Sequence, residues 1–241
     1  MNITDRYQNK LFSILGDSMS TFGGYSEPGD AIFYDTARKY QAGLLSWEDT
    51  WWGQVIARLG GTLLVNNSIS GSMVSKHRLC EVPTYGCSDE RTSGLGRNGE
   101  DPDVIIILMG TNDWGGRIKP ALEAGDDENN LAIFAVAYRG MIEKLRRNYP
   151  NAEIWCLTLP VSTCKKRPDF VFPHRFSDWH IEEYCREIRA CARDCGCRLI
   201  DLYRSAEPYD TIDCFHPNAD GMKTLSEAVL QELQRGLGGD H

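Results

Sequence analysis

From Asp103 to Gly110 the chain reads DVIIILMG, and every residue from Val104 to Met109 is apolar. A strand with one wet face alternates in polarity. A run with no polar member fits a strand buried on both faces, as in a parallel sheet. Parallel strands need long crossovers, usually helices, so this run makes a demand on the rest of the chain. Four other strand-like runs meet it: KLFSILG (10–16), TLLVNNS (62–68), EIWCLTLP (153–160) and RLIDLY (198–203). Helical stripes stand between them. Trp51, Trp52, Val55, Ile56 and Leu59 form one, and Phe134, Ala137, Tyr138, Met141, Ile142 and Leu145 a second. Ile181, Tyr184, Cys185, Ile188 and Cys195 form a third, and Met222, Leu225, Val229 and Leu233 the last. The alternation predicts βαβ units with right-handed crossovers and helices on both faces of one parallel sheet. With no linker, internal repeat or low-complexity segment, residues 1–241 read as a single domain.

The composition narrows the partners. Of 241 residues, 41% are hydrophobic, enough for a sizeable core, and the formal net charge of −8 argues against nucleic acid and anionic membranes. The basic run Lys165-Lys166-Arg167 is short and reads as a solvated loop. No apolar stretch approaches the roughly 18 residues of a membrane span, and the polar start MNITDRYQNK leads into a run too short for a signal sequence. Nine cysteines, an odd number without regular spacing, fit reduced thiols in a cytoplasm.

Long irregular stretches follow the strands, at 20–49, 72–101, 114–130 and 160–178. In open α/β sheets, sites form beyond the carboxyl ends of strands. The first strand ends in Gly16-Asp17-Ser18, the second in NNSISGS with Gly71, and the third in GTND with Asn112. Near the C-terminus, DCFHPNADG sets Asp213 three residues before His216. These types suit one chemistry. A serine hydroxyl needs a base to take its proton, and imidazole titrates in the right range. The imidazole in turn needs a carboxylate to orient it. An oxyanion needs aimed donors, for which the Ser18 N–H, the Gly71 N–H and the Asn112 amide are placed.

The same residues carry a family resemblance. GDS early in the chain, then NNSISGS, GTND and DCFHP, resemble in order the four motif blocks of the SGNH, or GDSL-type, hydrolases. The resemblance spans residues 12–217, with Met19 where a leucine is usual. It implies a flavodoxin-like three-layer α/β/α sandwich around a parallel five-stranded sheet. It also implies ester hydrolysis without metal or cofactor. Ser18 would be the nucleophile, His216 the base, Asp213 its partner, and Ser18, Gly71 and Asn112 the oxyanion donors. The expected substrate is a small-molecule or oligosaccharide ester with a short acyl group, acetyl foremost. Lysophospholipases and thioesterases share the pattern, as would a carbohydrate-binding relative that had lost catalysis. The sequence is silent on oligomeric state.

Plainer readings stand beside these. Ser18 could cap a helix, and Asn112 could be a turn residue. His77, six residues after Gly71, is the rival base; His174 lies in a long loop, His180 at a polar helix start and His241 at the terminus. The grouping of Cys185, Cys191, Cys195 and Cys197 suggests zinc only weakly, because no paired Cys-x-x-Cys spacing appears. Cys80 and Cys87 could pair if oxidised, and Cys214 falls inside the Asp/His block. Asp17 and Trp114 are expected to line the substrate site, Trp114 as a flat wall for a sugar ring, whereas Trp51 and Trp52 read as core.

Overall fold

The computed structural model describes residues 2–26, 31–77, 85–176 and 178–237. Five parallel strands form the central sheet: β1 (Leu11–Gly16), β2 (Thr62–Ser68), β3 (Val104–Leu108), β4 (Glu153–Leu157) and β5 (Arg198–Ile200). Their order is β2-β1-β3-β4-β5, the flavodoxin-like arrangement. All five expected strands are present. The fourth and fifth stop earlier than their apolar runs, because Leu202–Ser205 already turns as a helix and Thr158–Pro160 leaves the sheet.

The uniformly apolar β3 sits in the middle and feeds two cores. Val104, Ile106 and Leu108 join Phe12, Ile14, Trp51 and Trp52 on one face. Ile105 and Ile107 join Leu15, Phe134, Tyr138 and Tyr184 on the other. The first face is covered by α1 (Trp51–Leu59) and α4 (Ala219–Leu237), the second by α2 (Phe134–Asn148) and α3 (Ile181–Asp194). The four helical stripes point inward. Cys195 follows the last turn of α3 as its C-cap and is only half-buried, though it packs against the same core as the rest of that stripe. Thr50 caps α1 by accepting from Gly53 N at 3.0 Å. His180 caps α3, its Nδ1 accepting from Glu182 N at 3.1 Å, which gives that histidine a structural task.

The strand order fixes where a site can form. β1 and β3 are neighbours, and the connections that leave them run to opposite faces of the sheet. The crevice at their carboxyl ends is the switch point where ligands bind in such sheets. Two short pairings extend this end: Ser162–Thr163 with Tyr209–Asp210, parallel, and Arg175–Phe176 with Trp179–His180, antiparallel. Among the described residues, no helix is long and apolar enough to cross a membrane.

Candidate active site

The site begins with a glycine that has no room for a side chain. A Cβ on Gly16 would stand 2.6 Å from both Ser20 Cβ and Ser68 Oγ. That close approach lets β1 turn at once into the tight helical turn Ser18–Ser20. Asp17 caps the turn, Oδ1 accepting from Met19 N at 3.0 Å. The Ser20 carbonyl accepts from Trp52 Nε1 and Asn66 Nδ2, each at 2.9 Å, and the Ser18 carbonyl from Thr21 Oγ1 at 3.0 Å. Ser18 is therefore held by its backbone, with its side chain left to face the crevice. It caps nothing itself; Asp17 has that task.

Asp17 does not line a substrate site as expected. It is 1% exposed and turned into the protein. Burial is the main force that pushes its carboxyl up to about 7; Asp113 adds to the rise, while the Met19 N–H and Arg91 oppose it. The physical reason is the cap: an acceptor aimed at the turn's own N–H groups points beneath the serine, not out beside it.

The loop after β2 is held from below. Arg91, 2% exposed, donates from Nη1 to Ser72 Oγ at 2.8 Å and from Nη2 to the carbonyls of Gly16 and Asn67, both at 2.9 Å. One guanidinium thus joins the ends of β1 and β2 to the Gly71 loop. Asp113, fully buried, accepts from Val74 N at 2.8 Å and Ser75 N at 3.0 Å and pins the far side of the same loop. Burial pushes Asp113 up to about 6 against those hydrogen bonds. Gly71 itself has φ +80°, a conformation that favours glycine, and lies exposed. Among the described residues, no acceptor takes the N–H of Gly71 or of Ser18.

Asn112 lies in the short helix Thr111–Gly115 that follows β3. Its Nδ2 donates to the Ser72 carbonyl at 3.0 Å, which orients the amide and leaves a second N–H on the same nitrogen. From the other side comes the loop of Asp213 and His216. His216 Nε2 stands 2.9 Å from Ser18 Oγ, and Nδ1 stands 2.7 Å from Asp213 Oδ2. The other carboxylate oxygen accepts from Phe215 N at 3.1 Å and His216 N at 2.8 Å. Burial acts to raise the Asp213 pKa, but the ring and backbone hydrogen bonds from His216, with its charge, outweigh it and hold the carboxyl below its ordinary range. An ionised carboxylate only accepts, so Nδ1 carries the proton. In the neutral ring Nε2 is then the acceptor, and Ser18 Oγ donates to it. The partner that Ser18 meets is His216, not the rival His77.

Ser18, Asn112 and His216 open on a cleft of about 190 Å³. Its walls are Met19, Trp114, Phe176 and Phe215. Gly71 does not line it and joins the site through Ser72. Trp114 does reach the cleft, but at 1% exposure it is mostly core, stacked on Phe172 at 5.4 Å and edge-on to Phe176 at 5.0 Å. It supplies a wall edge rather than the open flat face expected for a sugar ring. A larger hollow of about 880 Å³ follows the β2 edge beside Tyr25 and Trp47, but none of Ser18, Asn112 and His216 lines it.

The cysteines sort by burial. Cys185 and Cys191 are buried on α3. Among the described residues, no three or more His, Cys, Asp or Glu side chains are grouped to hold a metal ion. Cys87 is a free buried thiol, and its expected partner Cys80 lies outside the described residues. Cys214 turns away from Ser18: its thiol meets that of Cys164, and Arg167 Nη1 donates to its Sγ at 3.7 Å.

Sequence reasoning missed Arg91 and the anchoring role of Asp113. Asp113 sits inside GTND and carried a signal, though it read as turn chemistry. Arg91 carried none: it sits on the short helix Asp89–Ser93, within a stretch without apolar periodicity, where a buried arginine and a solvated one look alike in sequence.

Comparison with known proteins agrees with this architecture. Residues 10–161 match the family model of GDSL-like lipases and acylhydrolases. That span holds Ser18, Gly71 and Asn112 and ends before Asp213. No curated protein matches the chain. A structure named as a GDSL-like lipase from Bacteroides ovatus is 26% identical, with a TM-score of 0.71, and the match covers 95% of this chain and 99% of that one. One of the same description from Bacteroides uniformis is 28% identical, with a TM-score of 0.69, over 98% and 100%. A family two carbohydrate esterase from Clostridium thermocellum, solved with cellohexaose, shares the fold at 17% identity and a TM-score of 0.58, over 96% and 66%. The chain is a member of the GDSL-like lipase/acylhydrolase family and an ester hydrolase.

Proposed function

We propose that this hydrolase is a serine esterase that removes short acyl groups, acetyl foremost, from carbohydrate. The observation that carries the reading is the unbroken chain Ser18 Oγ, His216 Nε2, His216 Nδ1, Asp213 Oδ2, with steps of 2.9 and 2.7 Å, opening on a cleft of about 190 Å³.

Ser18 Oγ attacks the ester carbonyl as His216 Nε2 takes its proton. Asp213 holds the imidazolium that forms. The carbonyl oxygen becomes an oxyanion, and the Ser18 N–H, the Gly71 N–H and the free Asn112 amide hydrogen serve as its donors. The intermediate collapses, the alcohol leaves with the proton from His216, and an acyl-enzyme remains on Ser18. Water then repeats the sequence, giving up its proton to His216, and the acid departs.

The small cleft supports a short acyl chain, since Trp114, Phe176 and Phe215 crowd it with rings. The carbohydrate part rests on the aromatic side chains around the cleft and on the fold's use by carbohydrate esterases. The test is hydrolysis of p-nitrophenyl esters from acetyl to octanoyl and of acetylated oligosaccharides, with Ser18→Ala as the blank. Acetate preference, lost by on the order of 10⁶-fold in the variant, is expected. A preference for octanoyl would move the substrate to lipids or thioesters and contradict the reading.

A further inference from the structure

We infer that Phe33 is a positioning residue for the His216 imidazole; the inference rests on His216 acting as the base. The Phe33 and His216 rings lie face to face, centroids 3.4 Å apart and planes 12° apart. The bond from Nδ1 to Asp213 fixes one atom of the imidazole but lets the ring rock about that atom. A flat surface against its face stops the rocking and keeps Nε2 in line with Ser18 Oγ.

Phe33 is built to be such a surface. It is buried, and its N–H donates to Thr21 Oγ1 at 2.9 Å, whose hydroxyl donates to the Ser18 carbonyl at 3.0 Å. The next residue, Tyr34, is fully buried and donates from its hydroxyl to the Pro217 carbonyl at 2.7 Å. Residues 33–34 thus bind the Ser18 turn at one end and both 216 and 217 at the other. The Arg38 guanidinium lies 4.9 Å over the Phe33 ring and, with His216 filling one face, presses on the other. Face-to-face stacking is not the preferred arrangement of two neutral rings. It does suit a ring that becomes cationic, because the aromatic face is negative.

The experiment compares Phe33→Leu, Phe33→Tyr and wild type on p-nitrophenyl acetate, with Ser18→Ala as the control on the underlying reading. Phe33→Leu is expected to lower kcat about tenfold with KM within about twofold, and Phe33→Tyr to retain kcat. In proton NMR, the His216 ring protons are expected upfield in wild type, shielded by the aromatic face, and to move downfield in Phe33→Leu only. An unchanged kcat in Phe33→Leu, or equal loss in both variants, overturns the inference. So do wild-type His216 ring protons at the position of an unstacked histidine, a result that stands even if Phe33→Leu does not fold. If Ser18→Ala keeps wild-type activity, the reading of the site fails instead.

Discussion

Ser18 and His216 meet across 2.9 Å, but the two regions that bring them together are held in opposite ways. The serine side is built from strand ends and fastened from inside. Asp17, Arg91 and Asp113 are at most 2% exposed, and each binds backbone groups of the strand ends, of the turn or of the Gly71 loop. The histidine side is a surface loop. The Asp213 side chain is 40% exposed, and Cys214 between the two site residues has φ +77°. Its restraints come from its neighbours: Phe33 and Tyr34, Ser162 Oγ on the Cys214 carbonyl at 2.7 Å, and Tyr209 hydroxyl on the Phe215 carbonyl at 2.8 Å. One region is rigid because it belongs to the core. The other is a partly exposed loop whose site side chains project from the core and are held by buried neighbours, Phe33, Tyr34 and Tyr209 among them. Damage on the serine side is therefore expected to appear as lost stability, and damage on the histidine side as lost rate.

The largest separation comes from Asp213→Asn. It is expected to lower kcat/KM by about 10⁴-fold by spoiling the imidazole tautomer, while Tm stays near wild type because the side chain lies at the surface. Steady-state kinetics beside a melting curve reads both. A large fall in Tm would make the loop part of the core and erase the contrast.

Arg91→Met tests the opposite side. It strips hydrogen bonds from the carbonyls of Gly16 and Asn67 and from Ser72 Oγ, all buried. A cost of about 3 kcal/mol is expected, or roughly a 10 °C fall in Tm for a chain of this size. Calorimetry that found Tm unchanged would break the assignment of Arg91 as the internal tie.

The smallest effect belongs to Asp17→Asn, which retains a capping acceptor. In the folded protein Asp17 holds its proton up to about pH 7, against an ordinary 3.8 in the unfolded chain. Between those values the folded state binds more protons, so stability falls as pH rises through the window and is fully present only below it. Asp113 acts the same way up to about 6. Melting curves from pH 4 to 8 are expected to show a shallower decline in the variant, with activity near wild type. An identical slope would show that Asp17 titrates normally.

The same contrast marks what the sequence made legible. The five strands, the four helix faces and the blocks at the strand ends rest on local periodicity and spacing, which one chain displays directly. Val104–Met109 announced a doubly buried strand, and β3 feeds both cores. The direction of a side chain at a strand end is not local. Asp17 was expected beside the substrate and lies beneath the serine; Trp114 was expected as an open wall and is packed between Phe172 and Phe176. Arg91, on the short helix Asp89–Ser93, and Phe33 come from long stretches without apolar periodicity, and only the folded chain shows that they reach the end of β1 and the face of His216.

The central claim is that His216 activates Ser18. A fluorophosphonate probe, followed by mass spectrometry of the digested protein, tests it without a known substrate. The account predicts one adduct, on the peptide that contains Ser18, formed at a rate that collapses in His216→Gln and survives in His77→Gln. An adduct on another serine, or labelling of Ser18 at the same rate in His216→Gln, would contradict it.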